Sequence, residues 1–410
     1  MKRLALLILV LLIALPTCYG IERRKKQFYD EPSHLILPLP YSIPGIGQGM
    51  MAIGLLGNVL GSYTDVYVLA INGDAAGTIG AVQDFHIIPE TFWVSYFYQN
   101  LSRAAVSMYD KRGMTTAKED YKLIELNKVY STSTSAVLSL WERRIELSYI
   151  GFEQDIGITR ILSPKGDVIT DFAEPYTSSA KTSLSGATLD YTDDFQDPRV
   201  GLRLHTNRNQ SSAASTRDPE YYVQNNSASF YIPMGSASTW AFNVYTSDAI
   251  VSKEGISDEA SIKAELGLAC PAENTACLTA EAGLVADFQA QRKYGTADGL
   301  GGQNRMRAYP QNRFQAAHSL YYGTEFRWNF DEEVTPFDFW IWQDVSTGFQ
   351  LAFFHESGTV ADLKSDLGVI TRTSSGVGLR MVSASGFVYR ADVASGNEGS
   401  ATTMIFSYPW

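Results

Sequence analysis

The stretch MIFSYPW, residues 404–410, decides the fold. Met404, Phe406, Tyr408 and Trp410 stand at every second position in it. Because side chains alternate between the two faces of a strand, this spacing predicts a β-strand with one bulky apolar face. A buried edge strand of a soluble sandwich would show the same pattern, so the rest of the chain has to distinguish the two.

The first twenty residues predict export from the cytoplasm. The basic residues 2–3 precede an unbroken apolar run at 4–15, and Cys18 and Gly20 put small residues three and one before a cleavage in front of Ile21. This is the pattern of a secretory signal peptide. A lipid-anchored amino terminus at Cys18 stays open as the alternative.

Composition favours an outer-membrane barrel over a soluble exported protein. Beyond the signal no apolar run reaches the roughly 18 residues of a membrane helix. Aromatic residues make up 12% of the chain and charged residues only 19%, yet the mean hydropathy is −0.11, because barrel strands alternate apolar and polar residues. The net charge of −11 argues against a nucleic-acid partner, which would require a basic surface.

Segments with a period of two recur along the chain, separated by turn residues. They lie at 61–72, 90–100, 238–247, 337–345, 349–358, 374–382, 386–394 and 401–410. In the third, Trp240, Phe242 and Val244 share one face. Each segment is about as long as a tilted strand that crosses a bilayer. Since lipid offers no hydrogen bonds, such strands must close into a barrel, and the face that ends at Trp410 is predicted to lie on lipid with the indole at the interface.

The sequence therefore predicts an all-β protein, a single transmembrane antiparallel barrel of about 16 strands in the bacterial outer membrane. Its expected parts are a signal peptide at 1–20, a short flexible periplasmic tail at 21–35 and the barrel at 36–410. Within the barrel, a helix that Ser257 caps is predicted at 257–269. The polar runs 179–186 and 207–226 are predicted to be long loops.

Two cysteines remain after the signal peptide, Cys270 and Cys277. In an oxidising compartment such a close pair predicts a disulfide within a loop. A metal site is the weaker alternative, because no further cysteine or histidine stands near them in the sequence to complete the ligand set. No metal and no cofactor are expected.

The carboxy-terminal half resembles the surface-antigen barrel superfamily of BamA and TamA, the outer-membrane assembly and translocation proteins. The similar stretches are LDYTDDFQDPRVG at 189–201, GGQNRMRAYPQNRF at 301–314, FHESG at 354–358, and GVGLRMVSASGFVYRADVA at 376–394 followed by MIFSYPW. The resemblance covers residues 186–410. It implies a loop folded into the barrel lumen, with Arg307, Ala308 and Tyr309 in place of the Arg-Gly-Phe/Tyr tip of the family.

The resemblance also implies the partner of that tip. FHESG, which ends at Gly358, is similar to the family motif Phe-x-Asp-x-Gly, with Glu356 in place of the aspartate. Arg307 would then pair with Glu356 and lock the loop as a plug, a planar bidentate contact that lysine cannot reproduce. The alternative is that both are ordinary charges in a wet lumen. The sequence departs from the family at Ala308, which replaces glycine, and in having only residues 21–35 where relatives carry POTRA modules.

The resemblance implies a barrel that assists insertion or translocation of proteins or lipids, through a gate between its first and last strands. The glycine-rich stretch 43–61 is the predicted first strand. The alternative is a passive pore, or a structural or dimeric barrel. Outer-membrane lipids are expected partners, with nascent outer-membrane proteins or a second copy of the chain as candidates. An enzyme is not expected: nucleophile-elbow and zinc-protease motifs are absent, and the neighbours His355 and Glu356 must face opposite sides of a strand.

Overall fold

The computed structural model describes residues 27–28, 32–109, 111–211, 213, 215–331, 337–339, 342–345, 347–383, 388–406 and 408–410. The predicted signal peptide and most of the predicted tail lie outside the described residues. Gln27 and Phe28 belong to the described part of that tail, and the first strand begins at Ser33.

Sixteen antiparallel strands close into one barrel, which confirms the predicted fold class. The strands of the chain are β1 (Ser33–Ile43), β2 (Gly47–Gly57), β3 (Asp65–Gly73), β4 (Ala76–Ile88), β5 (Phe92–Tyr109), β6 (Tyr121–Leu140), β7 (Ile145–Leu162), β8 (Val168–Thr192), β9 (Gly201–Ser211), β10 (Glu220–Pro233), β11 (Ser238–Lys253), β12 (His318–Asp331), β13 (Phe337–Phe339), β14 (Trp342–Val345), β15 (Thr347–Ala361), β16 (Arg372–Ser383), β17 (Val388–Gly396) and β18 (Gly399–Phe406). β13 and β14 form a separate two-stranded sheet. The other strands pair with their neighbours along the chain, and β1 closes the barrel against β18.

The outer face of the barrel carries apolar side chains that alternate with buried residues of the inner face. Val68, Trp240, Phe353, Leu379 and Val393 are all between 41% and 54% exposed, whereas their neighbours in sequence are turned inward and largely buried. A continuous exposed belt of this kind is unstable in water and is the property of a membrane-spanning barrel. The alternation predicted for Trp240, Phe242 and Val244 is present in β11.

The two ends of the barrel are called here the lower rim, where β1 begins and β18 ends, and the upper rim opposite. The longest connection, 254–317, joins β11 to β12 at the upper rim. It contains the helices α1 (Glu259–Leu266) and α2 (Thr275–Tyr294). No helix in the described part of the chain is long and apolar enough to cross a membrane.

The helix predicted at 257–269 is present as α1, but Ser257 is not its cap. The carboxylate of Asp258 accepts a hydrogen bond of 2.8 Å from the backbone N–H of Ser261, and Gly267 ends the helix with φ 63°. Lys263 holds the pKa of Glu281 in α2 below its usual range through a hydrogen bond at 2.8 Å. The ion pair between α1 and α2 is therefore present near neutral pH and is lost as acid protonates the carboxylate.

A disulfide between Cys270 and Cys277 joins the α1–α2 connection to the first turn of α2. We expect Cys270→Ser with Cys277→Ser to destabilise this helical hairpin by about 2–3 kcal/mol, because a short closed loop loses its constraint on the unfolded state. Limited proteolysis should cut residues 254–298 faster in the double variant. The barrel should keep its heat-modifiable mobility on a denaturing gel, and a barrel that unfolds earlier would contradict this assignment.

Two predicted loops were wrong, because the polar residues of strands were interpreted as loop residues. Residues 179–186 lie inside β8, and 207–226 contain the end of β9 and the start of β10. Their polar side chains bond across strands, as between Thr206 Oγ1 and Asn226 Oδ1 at 2.8 Å. Hydrogen-bonded polar residues are stable in a strand that is not covered by lipid.

Other strand predictions require correction as well. The glycine-rich stretch 43–61 contains β2 rather than the first strand, which is β1 and was hidden by Pro38 and Pro40. The segment 337–345 gives β13 and β14, which are not part of the barrel. The segment 61–72 forms a strand only from Asp65, because a 3-10 turn at Val59–Gly61 precedes it.

Candidate functional site in the barrel lumen

Residues 296–317, called here the lumenal segment, lead from α2 to β12 and lie inside the barrel. Met306, Arg307, Tyr309 and Phe314 are 0% exposed. Arg307 contacts Glu325 of β12, Glu356 of β15 and Asp392 of β17, which are buried and alternate with more exposed residues along their strands, so the contact is on the inner wall. Apolar and cationic side chains of the lumenal segment therefore fill part of the lumen.

Two glycines in the barrel wall allow side chains of the lumenal segment to pack directly against the strand backbone. A Cβ at Gly358 in β15 would lie 2.6 Å from the side chain of Leu300. A Cβ at Gly396 in β17 would lie 2.9 Å from the hydroxyl of Tyr309. Both distances are shorter than a carbon side chain permits, so the predicted site residue Gly358 acts by having no side chain.

Arg307 is the centre of the contacts between the lumenal segment and the wall. Its Nε lies 3.0 Å from Glu356 Oε1, and its backbone N–H donates to Glu356 Oε2 at 2.8 Å. Its Nη1 donates to Asp392 Oδ2 at 2.9 Å and to Glu325 Oε2 at 3.2 Å. The guanidinium also lies 3.3 Å from the ring centroid of Phe354. One side chain therefore joins the segment to three strands.

The remaining tip residues hold the segment through hydrogen bonds. The N–H of Ala308 donates to Ser374 Oγ at 3.1 Å. The hydroxyl of Tyr309 donates to the carbonyl of Thr373 at 3.0 Å. Met306 has a positive φ of 57°, whereas Ala308 is not among the described residues with positive φ, so an alanine at this position carries no left-handed strain.

Three further arginines share the carboxylates that surround Arg307. Arg380 Nη1 lies 2.6 Å from Glu325 Oε1, Arg327 Nε lies 2.7 Å from the same oxygen, and Arg390 Nη1 lies 2.5 Å from Asp392 Oδ2. All of these side chains are 0–1% exposed. Four guanidinium groups thus face three carboxylates inside the lumen, and ions with so little water depend on one another for their stability.

The chain after β18 turns into the lumen. The hydroxyl of Tyr408 donates to Asp197 Oδ1 at 2.6 Å, and the indole Nε1 of Trp410 donates to the hydroxyl of Tyr321 at 3.1 Å. The guanidinium of Arg327 lies 4.3 Å from the ring of Tyr408 and 5.4 Å from that of Trp410. Residues 408–410, called here the terminal tail, thereby contact both the wall and the β8–β9 connection.

The predicted lipid-facing row is therefore wrong in its second half. Met404 and Phe406 lie in β18 on the face of Tyr389, whose ring centroid is 5.5 Å from that of Phe406. Tyr408 and Trp410 lie beyond the strand, which ends at Phe406. The phenol and the indole each need a hydrogen-bond partner when buried, and the lumen supplies one to each together with a cation.

The wall formed by β2 to β6 is apolar on its inner face toward the upper rim. Its buried cluster includes Met51, Ile53, Leu69, Leu101 and Ile124. These residues alternate with exposed outward side chains such as Met50 and Val68. The lumen thus has an apolar wall and a charged wall, unlike the polar interior of a water-filled porin.

The seam between β1 and β18 is the weakest junction of the barrel. Among the described residues one register pair, Ser42↔Met404, joins these strands, whereas β1 and β2 are paired along the whole length of β1. The carbonyl of Pro40 accepts from the hydroxyl of Tyr389 at 2.7 Å, so the backbone of Pro38 and Pro40 faces β18. Proline has no N–H, and the ladder therefore lacks two donors at this edge.

No protein-family model matches the chain, and no curated protein matches it. Among solved structures, the chain is similar to BamA from Haemophilus ducreyi lacking POTRA domains 1–3, at 11% identity over 93% of this chain and 76% of that chain, with a TM-score of 0.47. CdiB from Escherichia coli is similar at 12% identity over 92% and 67%, with a TM-score of 0.47, and CdiB from Acinetobacter baumannii at 8% over 92% and 65%, with a TM-score of 0.45. The chain spans about two thirds of the CdiB chains, and likenesses at these identities concern the fold alone.

The sequence indicated part of this site and missed the rest. Arg307 and Glu356 lie in contact, as the resemblance implied. Glu325, Arg327, Arg380, Arg390 and Asp392 were missed. Except for Arg380, they stand as charged pairs with a period of two inside apolar strands, a signal that marks two inward charges in succession. His355 is exposed and Glu356 buried, so these neighbours face opposite sides of β15.

Proposed function

We propose that the protein is an outer-membrane barrel of the BamA and TamA type that assists insertion or translocation of proteins or lipids through the β1–β18 seam. The observation that carries the proposal is the sparse pairing at this junction, where Ser42↔Met404 is the one register pair in the described part of the two strands. An unpaired strand edge exposes backbone donors and acceptors to which an incoming strand can add. A seam that opens easily also gives lipid a lateral route.

The lumenal segment supports the same proposal. With Arg307 held by three wall carboxylates, the segment acts as a locked plug, so the seam rather than the pore is the working surface. The plug and the terminal tail together oppose the alternative of a passive pore. A structural or dimeric barrel would use the same seam against a second copy, and the experiment below separates these cases.

The test closes the seam with a covalent bond. Ser42→Cys with Met404→Cys should form a disulfide, since the two residues are register partners. In lipid vesicles, the cross-linked protein should insert an unfolded eight-stranded barrel protein no faster than empty vesicles do, and reduction should restore the rate. Full activity with the seam cross-linked would exclude lateral insertion, and a disulfide between two copies would favour the dimer.

A matched control closes an ordinary strand junction. Ser375→Cys with Ser395→Cys joins β16 to β17 at another register pair, with both residues exposed on the outer face. This disulfide should leave the insertion rate unchanged. Probes of the seam belong at Ser42 and Met404, because Met51 and Ile53 point into the lumen from β2.

A further inference from the structure

The lower rim carries an aromatic cluster that the proposed seam activity does not use. Phe28, which belongs to the segment before β1, is 7% exposed. Its ring centroid lies 5.9 Å from Tyr63, 5.5 Å from His86 and 5.7 Å from Trp93. Tyr63 belongs to the β2–β3 connection, whereas His86 and Trp93 stand at the adjoining ends of β4 and β5. Phe28 is therefore held at the lower rim by aromatic contacts.

Arg143 adds a cation to the aromatic cluster. The guanidinium of Arg143, in the β6–β7 connection, lies 5.8 Å from the ring of Phe28, 5.3 Å from Trp93 and 3.8 Å from Phe195. Gln27 extends the contact, because its Oε1 accepts from the backbone N–H of Phe195 at 2.8 Å. Phe195 belongs to the β8–β9 connection. Residues 27–28 thus run along the lower rim past four connections of the barrel.

The walls of the cluster contact one another as well as Phe28. His86 and Trp93 stack at 4.9 Å with an interplanar angle of 24°, and Tyr63 lies 5.2 Å from His86. Arg143 is fixed by Glu146, with Nε 2.6 Å from Oε1. A cavity whose walls support each other keeps its shape when its occupant leaves, and such preorganisation favours binding.

Backbone strain is concentrated around the same cluster. Ten non-glycine residues in the described part of the chain have positive φ. Eight of them belong to β4 or to the lower-rim connections of β2 to β7, namely Asn58, Leu60, Tyr63, Asp84, Glu90, Trp141, Glu142 and Arg143. The other two, Met306 and Asn312, lie in the lumenal segment. Strain of this kind persists where the surroundings dictate it, and it gathers at binding sites.

We propose that Tyr63, His86, Trp93, Arg143 and Phe195 form a binding site for one aromatic side chain of an extended polypeptide segment. Phe28 is its resident ligand and fastens the amino-terminal segment along the lower rim. Once Phe28 has left, the site accepts an aromatic residue from another segment in the same compartment. The face of Trp93 and the guanidinium of Arg143 recognise the ring, and the N–H of Phe195 recognises an acceptor one residue before it.

The test uses the full chain in detergent micelles and a labelled peptide of residues 24–31, RKKQFYDE. Phe28→Ala should leave the site empty, and this variant should bind the peptide at least about tenfold more tightly than the wild type, in which Phe28 competes. The same peptide with its phenylalanine changed to alanine should bind at least about tenfold more weakly. Fluorescence anisotropy measures both, and the second peptide controls for attraction between basic peptide and acidic protein.

Two further variants test the walls in the Phe28→Ala background. Trp93→Leu and Arg143→Met should each abolish the preference for the phenylalanine peptide, and heat-modifiable mobility on a gel establishes that the barrel is folded. Arg143 lies in a connection between strands, and its substitution should leave the strands intact. It therefore tests the site even if the change at Trp93 disturbs the barrel. The proposal is overturned if the folded Phe28→Ala variant binds both peptides alike, or no more tightly than the wild type.

Discussion

Replacing Arg307 with alanine is expected to release the lumenal segment and turn a closed lumen into a conducting one. The substitution leaves Glu356, which is 0% exposed, without its cation, whereas Glu325 keeps Arg327 and Arg380 and Asp392 keeps Arg390. Removal of one partner from a buried ion pair costs about 3–5 kcal/mol. Because water can hydrate the unpaired carboxylate of Glu356 only when the lumenal segment moves away, the substitution favours the open, water-filled lumen over the closed one.

Conductance across a planar bilayer measures this change. The wild type should show small and infrequent openings, whereas Arg307→Ala should show a steady open current. Arg307→Lys should fall between them, since a single ammonium cannot make the fork of contacts to three acids. Lys181→Ala is the matched control, because Lys181 also pairs with a carboxylate but its side chain is 75% exposed. Wild-type currents in Arg307→Ala would show that the segment is held by its apolar contacts alone.

A second substitution separates the lock from general damage to the lumen. Glu356 accepts from Arg307 Nε at 3.0 Å, and Arg307 is its ion-pair partner among the described residues, whereas Glu325 and Asp392 have further arginines, so Glu356 loses most when the arginine side chain goes. Adding Glu356→Gln to Arg307→Ala removes the stranded charge, and we expect partial recovery of closure. A coupling of this sign requires direct interaction between the two residues.

The sequence could predict the barrel because the outer belt repeats with a period of two. It could not predict strands whose residues are mostly polar, or strands in which proline interrupts the alternation. β8 and β9 extend through polar residues that bond across strands, Ser179 to Asp155 and Thr206 to Asn226, and β1 contains Pro38 and Pro40. Proline within a sheet is confined to edges, strand ends and bulges, and the edge that Pro38 and Pro40 occupy is the seam, which depends on the closure of the whole barrel.

The same limit applied to the lumen. A motif could place Arg307 beside Glu356, because the two stretches resemble known ones. The contributions of Arg327, Arg380 and Arg390 depend on which residues three-dimensional closure sets side by side, and β12 meets β15 only after a long connection. At the carboxy terminus, the predicted strand was extended beyond its actual end at Phe406. Spacing alone does not reveal that a strand ends, and Tyr408 and Trp410 lie in the lumen instead of on lipid.

Removing the two rings of the terminal tail should open the lower half of the lumen. In Tyr408→Ala with Trp410→Ala, Arg327 loses two aromatic faces at 4.3 Å and 5.4 Å. Its Nε pairs with Glu325, whereas its Nη1 and Nη2 have no hydrogen-bond partner among the described residues, so the rings stabilise the end of the guanidinium that the carboxylate does not reach. A desolvated cation–π contact is worth about 2 kcal/mol and a hydrogen bond to a carboxylate about 1.5–3 kcal/mol, which together predict a loss of several kcal/mol, second only to Arg307→Ala.

The readout has to distinguish a lumenal tail from a lipid-facing strand end. If the tail closes the lumen, the double variant should raise conductance and make a cysteine placed in β12 at Tyr321, the partner of Trp410, accessible to a water-soluble thiol reagent. If the rings anchored the barrel to lipid, the variant should insert poorly and its conductance per inserted molecule should not change. Trp141→Ala controls for loss of an indole at the same rim, because Trp141 is 72% exposed. Since Trp410 packs on the cluster that contains Met306 and Tyr309, combining the tail variant with Arg307→Ala should raise conductance by less than the sum of the two effects.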